Sequence, residues 1–470
     1  MNALFWFRDD LRLQDNPGLF KAINQADRLI LIYILDETTP SSEQLGGASK
    51  WWLHQSLQKL QQDLEQKGQR LILKKGNPTE ILNKLVHDQK IESVFWNRSY
   101  TPHSIARDTS IKTDLKSKNI NVHTFPGNVL IEPFNVKNKS EKPYLVFTPF
   151  YKSYLMHPFL GEEPFNIPPH LPQCFDTLSS LSLDALGLLP QGLNWADRFP
   201  DYWIAGEKGA WTRLHNFLSE DLQKYRLNQD LSQKTSLLSP YLRWGEISVR
   251  RLYHELTHLS IKTPSLSSVI SAFQRELIWR DFASHLLYHF PNTVTENHKP
   301  QFNAFPWIQH DDYFKAWTKG KTGYPIVDAG MRQLWQTGFM HNRVRMIVGS
   351  FLVKHLLIDW RFGERWFWDT LLDADLASNI MNWQWVAGSG ADASPYFRIF
   401  NPLLQAQKFD PKVQYIKEWV PELRDVNDKA ILEMDHLFEY TKGVYPRPIV
   451  KHEDARNRAL LAYKSCRISI

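Results

Sequence analysis

Short, almost wholly apolar runs open the chain and recur along it. Residues 2–8 form the first, and RLILIYILD from Arg28, RLILKK from Arg70, ESVFWN from Glu92 and NVHTFP from Asn121 follow. Helix-like stretches at 49–67, 78–88 and 103–118 separate them. Strands that do not alternate apolar with polar, interspersed with helices, predict a doubly wound, parallel, five-stranded sheet covered on both faces. An α/β domain is therefore expected over 1–130. No GxGxxG follows the first strand, which gives no support to a standard dinucleotide site. Ligands of such sheets bind beyond the carboxyl ends of the strands.

The pattern then changes twice. Between 131 and 204 the periodicity weakens and prolines gather (Pro133, Pro143, Pro149, Pro158, Pro164, Pro168, Pro169, Pro172). A long interdomain connection with short helices inside it is expected. From about 205 the strand signals vanish. Segments 207–223, 246–258, 268–290, 325–337, 341–357 and 365–380 carry apolar residues at three- and four-residue spacing, which predicts an all-α domain over 205–470.

With 43% hydrophobic and 23% charged residues the chain reads as globular, and its net charge of +6 favours a polyanionic partner weakly. Two distant cysteines, Cys174 and Cys466, exclude a disulfide framework. MNALFWFRDD reads as a strand rather than a signal peptide, and no apolar run reaches membrane-spanning length. A soluble, intracellular protein is expected.

Chemistry-bearing residues are densest between Asp359 and Pro402. Trp360, Trp366, Trp368, Trp383 and Trp385 fall there, with Asp373, Asp375 and Asn379 among them and Tyr396-Phe397-Arg398 beyond. On one continuous helix Asp373 and Asp375 would face different ways, so a shared ligand requires a bend or a helix start between them. A packed aromatic helix pair with two N-terminal carboxylates fits the composition equally well. Upstream, Thr235-Ser236-Leu237-Leu238-Ser239 precedes Pro240 and a helix, which suits an ordinary N-cap or an anion site. Glu276 and Trp279 share a helical face, and Arg280 lies one turn from Glu276, the spacing of an ordinary ion pair.

LLDADLASNIMNWQW together with SPYFRIFNP resembles the flavin-binding core of the photolyase/cryptochrome family, the class I cyclobutane pyrimidine dimer photolyases in particular. The likeness continues through TSLLSPYLRWGEIS, ELIWRDF, GKTGYPIVDAGMRQL and MHNRVRM to the N-terminal FWFRDDLRLQDNP, and so spans nearly the whole chain. The resemblance implies FAD, active in its reduced form, held by Tyr225, Thr235, Ser236, Leu237, Leu238, Ser239, Arg280, Asn342, Asp373, Ala374, Asp375 and Asn379. It implies that the flavin gives an electron under light to a pyrimidine dimer flipped out of DNA. Glu276 would hydrogen-bond that dimer, Trp279 and Trp385 would wall it, Met346 and Asn342 would touch it, and Asn379 would sit beside flavin N5. Trp383, Trp360 and Trp307 would carry electrons between flavin and surface, although composition alone makes all three core residues. Arg343, Arg398 and Gln405 would contact the DNA backbone. Asn342 after His341 differs from the histidine pair of the (6-4) photolyases. A monomer in the cytoplasm, on the nucleoid in a bacterium, is the corresponding expectation.

The second, light-gathering chromophore is left open. Folate-binding members carry a glutamate where this chain has Ser104, preceded by His103, which speaks against folate; a deazaflavin, another flavin or no antenna are alternatives. His254-Glu255-Leu256-Thr257-His258 is a literal HExxH, whose zinc reading would need a third ligand such as Glu276. Gly320-Lys321-Thr322 looks like the end of a phosphate loop, but Lys315 stands where its glycine should. A cryptochrome-like blue-light photosensor without repair activity is the alternative function. The set Glu276, Trp279, Asn379 and Trp385 argues against it.

Overall fold

The structure is a computed structural model that describes residues 1–468 apart from 176, 190, 191, 193, 226–230, 232–234 and 394–396. Tyr396 thus lies outside the described residues. Contacts divide the chain into two compact units. One holds Met1–Leu193, Trp203–Ser219 and Ser236–Pro291; the other holds Asn194–Tyr202, Glu220–Thr235 and Asn292–Ile470.

The first unit contains the sheet. Strands β1 (Asn2–Phe7), β2 (Arg28–Asp36), β3 (Leu71–Gly76), β4 (Ser93–Asn97) and β5 (Asn121–Phe125) are all parallel, in the order β3-β2-β1-β4-β5. The register sets Leu4 beside Ile30 and Val94, so like side chains stack across the sheet. Leu4, Trp6, Ile32, Ile72 and Trp96 point to one face, where they pack with Leu82, Leu85, Ile111 and Leu115 of helices Pro78–Asp88 and Pro102–Ser117. Helix Pro17–Gln25 covers the other face. There Gly18 N–H donates to Asn97 Oδ1 at 2.9 Å, and a Cβ on Gly18 would lie 2.9 Å from the Phe5 ring. Uniformly apolar strands are thus explained by burial on both sides.

Short helices do form between 131 and 204: YLVFTPF supplies the start of helix Phe147–Tyr154, and 3₁₀ turns lie at Pro133–Asn135 and Pro158–Gly161. Buried Asp281, on helix Ser267–His289, ties this stretch down by accepting the N–H groups of Leu130 (2.7 Å) and Ile131 (3.2 Å) and the Tyr154 hydroxyl. No strand follows Phe125 among the described residues.

Helices Ser267–His289 and Pro325–Thr337 lie where the spacing predicts them. The segment expected as one helix over 365–380 is two, Trp360–Thr370 and Leu376–Ala387. Asp375 supplies the reason, because its Oδ1 accepts the Ser378 N–H at 2.8 Å and starts a new helix. The stretch 341–357 leaves regular helix at Ser350 and widens into a π-helical turn, Phe351–His355.

The second unit packs Val327, Leu334, Val344, Val348, Leu352, Trp360 and Trp383 into one core. Asp328 is wholly buried beside it. Its Oδ1 accepts from Thr322 N and Oγ1 (both 2.7 Å), and its Oδ2 from Gly323 N (3.0 Å) and Tyr445 Oη (2.7 Å). The phosphate-loop-like Gly320-Lys321-Thr322 is therefore a turn folded onto a carboxylate, not an anion cradle. Asp328→Ala strands several buried donors at once and is expected to cost about 3 kcal/mol in urea unfolding; a cost below about 1 kcal/mol would show that the network is not holding the unit together.

Candidate functional site

In the first unit the residues of interest lie on helix Ser267–His289 and the turn before helix Ser239–Arg243. The Trp279 ring stacks on buried Phe147 with centroids 3.5 Å apart and planes 8° apart, and meets Phe282 edge-on at 5.8 Å. One indole face is thereby covered, while the residue as a whole is only half-buried. Glu276, one turn earlier and also half-buried, has no hydrogen bond or ion pair among the described residues. Burial raises its carboxyl pKa, partly opposed by Arg275. The ion pair that spacing suggests with Arg280 is absent: Arg280 lies 3.6 Å from Asp281 Oδ1 and donates to Leu242 O at 3.3 Å. Helix Ser239–Arg243 has no side-chain cap, so an ordinary N-cap is not formed. Leu237 holds φ +52°, a left-handed conformation that costs a branched residue energy, and Leu238 is buried. Ser236 Oγ accepts the Leu238 N–H at 3.4 Å.

In the second unit Thr235 and Tyr225 are half-buried, with Tyr225 in extended conformation after a short 3₁₀ turn. Asn342 opens helix Asn342–Ser350 and is exposed. His341 caps that helix by accepting the Arg343 N–H at 3.1 Å, and burial pushes its pKa down to about 4. Met346 is half-buried one turn further on. Arg343 lies over the Phe409 ring (4.6 Å), and burial together with the nearby charge of exposed Arg398 lowers its pKa. Gln405 is half-buried on helix Pro402–Phe409.

The two aspartates do different work. Asp375 caps helix Leu376–Ala387. Asp373 pairs through Oδ2 with Arg345 at 2.7 Å, while its Oδ1 is buried with no hydrogen-bond partner; Ala374 between them is buried. Four and eight residues into this short run, Asn379 and Trp383 share a face. The Asn379 amide donates both to Glu364 O (3.0 Å) and to Glu364 Oε1 (2.8 Å), while its own oxygen accepts no hydrogen bond among the described residues. Burial pushes Glu364 up to about 7 against the pull of Asn379 and Arg365.

Trp383 and Trp360 are buried and Trp307 is half-buried. Trp360 donates to Asn297 Oδ1 at 2.9 Å, and Trp307 contacts the Phe305 ring at 4.3 Å. Trp383 fits only because position 363 is glycine, where a Cβ would stand 2.1 Å from its ring. Ring contacts lead from Trp383 to Trp317 (6.3 Å), Phe314 (5.9 Å), Trp366 (6.5 Å) and Trp335 (5.9 Å), the last 46% exposed. Trp385 is half-buried.

Sequence reasoning missed Phe147, Arg345, Glu364 and the Trp317–Trp335 series. Their partners are distant in the chain, so no local spacing marks them. The HExxH is also resolved: His254 pairs with Glu163 (3.0 Å), Glu255 lies 4.0 Å from Arg251, and no group of three or more potential metal ligands occurs among the described residues. Ser104 and His103 lie in the first turn of helix Pro102–Ser117, where His103 meets Asp36 at the carboxyl end of β2 (3.4 Å).

The Glu364 shift predicts a pH dependence. Its folded pKa, about 7, lies above the ordinary value of 4.5, so its contribution to stability is full below 4.5 and is lost as pH rises to about 7. Glu364→Gln keeps the oxygen that Asn379 uses and removes the titration. Urea unfolding of the two proteins should therefore diverge across that window in favour of the variant, and parallel curves would mean that Glu364 titrates normally.

Within the second unit the residues present suit a polar cofactor: among the described residues Asp373 Oδ1 is buried without a hydrogen-bond partner, and the Asn379 amide oxygen accepts no hydrogen bond. Comparison with known proteins agrees. Residues 3–169 match the family model for DNA photolyase, and 273–465 match the model for the FAD binding domain of DNA photolyase. The deoxyribodipyrimidine photo-lyase of Agrobacterium fabrum is 46% identical over 98% of this chain and 97% of its own. Cryptochrome-2 of Arabidopsis thaliana is 35% identical over 90% of this chain and 70% of its own. The crystal structure of a bacterial class III photolyase from Agrobacterium tumefaciens superposes with a TM-score of 0.93 at 45% identity, covering 99% of this chain and 98% of that one. The chain belongs to the photolyase/cryptochrome family and carries that family's FAD-binding domain.

Proposed function

We propose that this protein repairs cyclobutane pyrimidine dimers in DNA under light. The observation that carries the reading is the pair Glu276 and Trp279: a half-buried carboxyl beside an indole with one face covered, neither with a hydrogen bond or ion pair among the described residues. Burial makes Glu276 hold its proton to higher pH than an exposed glutamate, so it can donate a hydrogen bond to a base carbonyl as charge develops there. The uncovered face of Trp279 offers a flat apolar wall for a flipped base pair, and the family resemblance assigns Trp385, Met346 and Asn342 to the same guest.

Bound, reduced FAD would supply the light-driven electron and receive it back, leaving no net redox change. Asp373 Oδ1 and the Asn379 oxygen would each accept a hydrogen bond from the cofactor. The uncapped Ser239 N–H suits a phosphate, and the family resemblance assigns Tyr225, Thr235, Ser236, Leu237, Leu238, Arg280, Asn342, Ala374 and Asp375 to the same cofactor. Trp383, Trp360 and Trp307 would relay an electron to an oxidised flavin from an external reductant at the surface. The charge of Arg398 adds to the cost of holding Arg343 charged, which a DNA phosphate would relieve, and Gln405 would support the contact. The antenna is proposed to be something other than folate, on the strength of Ser104.

Holoprotein with reduced flavin, mixed with a dimer-containing oligonucleotide, should restore thymine absorbance in blue light and not in darkness. Flavin that photoreduces with no such recovery would favour the photosensor, the reading suggested by the cryptochrome relative. Glu276→Ala should cut repair by about tenfold or more while leaving FAD bound; unchanged repair removes Glu276 from the mechanism. Arg398→Ala should weaken binding whatever the flanking sequence, and lower the slope of log K against log salt by about 1; an unaltered slope would place Arg398 off the DNA.

A further inference from the structure

Lys354 lies in the π-helical turn Phe351–His355 and is 1% exposed. Its Nζ donates to Ala387 O at 2.8 Å and stands 3.1 Å from the Phe397 ring centroid. It has no ion pair with a carboxylate among the described residues, and burial lowers its pKa well below the usual lysine value. A methionine would fill the same volume without the desolvation cost of an amine. The amine must therefore be judged by its two contacts.

Both contacts fall on chain that bears proposed DNA-facing residues. Ala387 is the last residue of helix Leu376–Ala387, two past Trp385, and its carbonyl is one of those a helix end leaves without an internal partner. Phe397 immediately precedes Arg398. Its ring stacks on Tyr463 (4.4 Å, 9°), so it is gripped between the lysine and the C-terminal helix His452–Ile468. Ser350, Lys354, Trp385, Phe397 and Arg398 line one small cavity. The amine is closed off from solvent and engaged with Ala387, so it is not placed to act as a nucleophile.

We propose that Lys354 is a positioning residue that sets Trp385 and Arg398 in fixed relation, so that the wall for the dimer and the cation for the phosphate are presented together. This rests on the repair reading given above. A clamp of this kind acts on recognition of the damaged strand and not on the flavin, since neither of its contacts belongs to the residues assigned to FAD.

The test compares wild-type and Lys354→Met holoprotein for binding of a dimer-containing oligonucleotide by anisotropy and for repair at varied oligonucleotide concentration. Kd and KM should rise on the order of tenfold. The rate at saturating DNA, the flavin spectrum and the photoreduction rate should stay at wild-type values. Lys354→Gln, which keeps an N–H donor, should recover part of the affinity. Unchanged Kd in the methionine variant overturns the inference. So does a fall in saturating rate and flavin content together with affinity, which would mark a general packing role. Should the methionine variant not fold, Phe397→Leu takes its place, with the same rise in KM expected and its absence equally fatal. Wild-type holoprotein that does not prefer dimer-containing over undamaged DNA overturns the repair reading itself, and this inference with it.

Discussion

The hydrogen bond from Ser378 N–H to Asp375 Oδ1 decides where a helix begins, and much of the second unit follows from that choice. Without it Trp360–Thr370 and Leu376–Ala387 could run together as one rod, with Asp373 and Asp375 on different sides. With it, the chain turns through Leu371–Asp375, Asp373 is withdrawn into contact with Arg345, and Asn379 and Trp383 come to one face of a fresh helix. An N-cap of this kind is worth only about 1 kcal/mol, yet it sets the phase of every side chain after it. Gly363 then permits the last step, letting the neighbouring helix lie against the Trp383 ring where any side chain would collide.

The protein also leaves several groups in states that folding alone does not favour. Asp373 has a buried oxygen with no donor among the described residues, Leu237 has a left-handed backbone, and half-buried Glu364 has its pKa pushed up to about 7. Each costs free energy in isolation. Elsewhere Asp328 is buried with four donors, while Asp281 Oδ1, like Asp373 Oδ1, is buried without a hydrogen-bond partner.

Much of this was legible in the sequence because the signals are local. Five apolar runs with helices between them state a parallel sheet, and the register of β1 with β2 and β4 needs nothing further. The three- and four-residue spacing of 268–290 and 325–337 marks their helices closely. Two kinds of feature were not legible. The break at 371–375 depends on which of several aspartates caps, a competition that apolar spacing does not register. The grip of Glu364 on Asn379, of Phe147 on Trp279 and of Lys354 on Ala387 joins residues far apart in the chain, and their identities as Glu, Phe and Lys carry no periodic mark. Arg280 shows the converse: spacing offered it Glu276, while the fold gave it Asp281 as the nearer charge.

The stacking of Phe147 on Trp279 has one further consequence. Parallel rings 3.5 Å apart leave no room for anything between them. The indole is thus a one-sided surface, backed by a ring that is itself buried and held by the segment that Asp281 anchors. A flat guest can add to this stack only as a third layer, and its angle is set in advance by a phenylalanine from a proline-rich stretch that looks, in the sequence, like a mere connection.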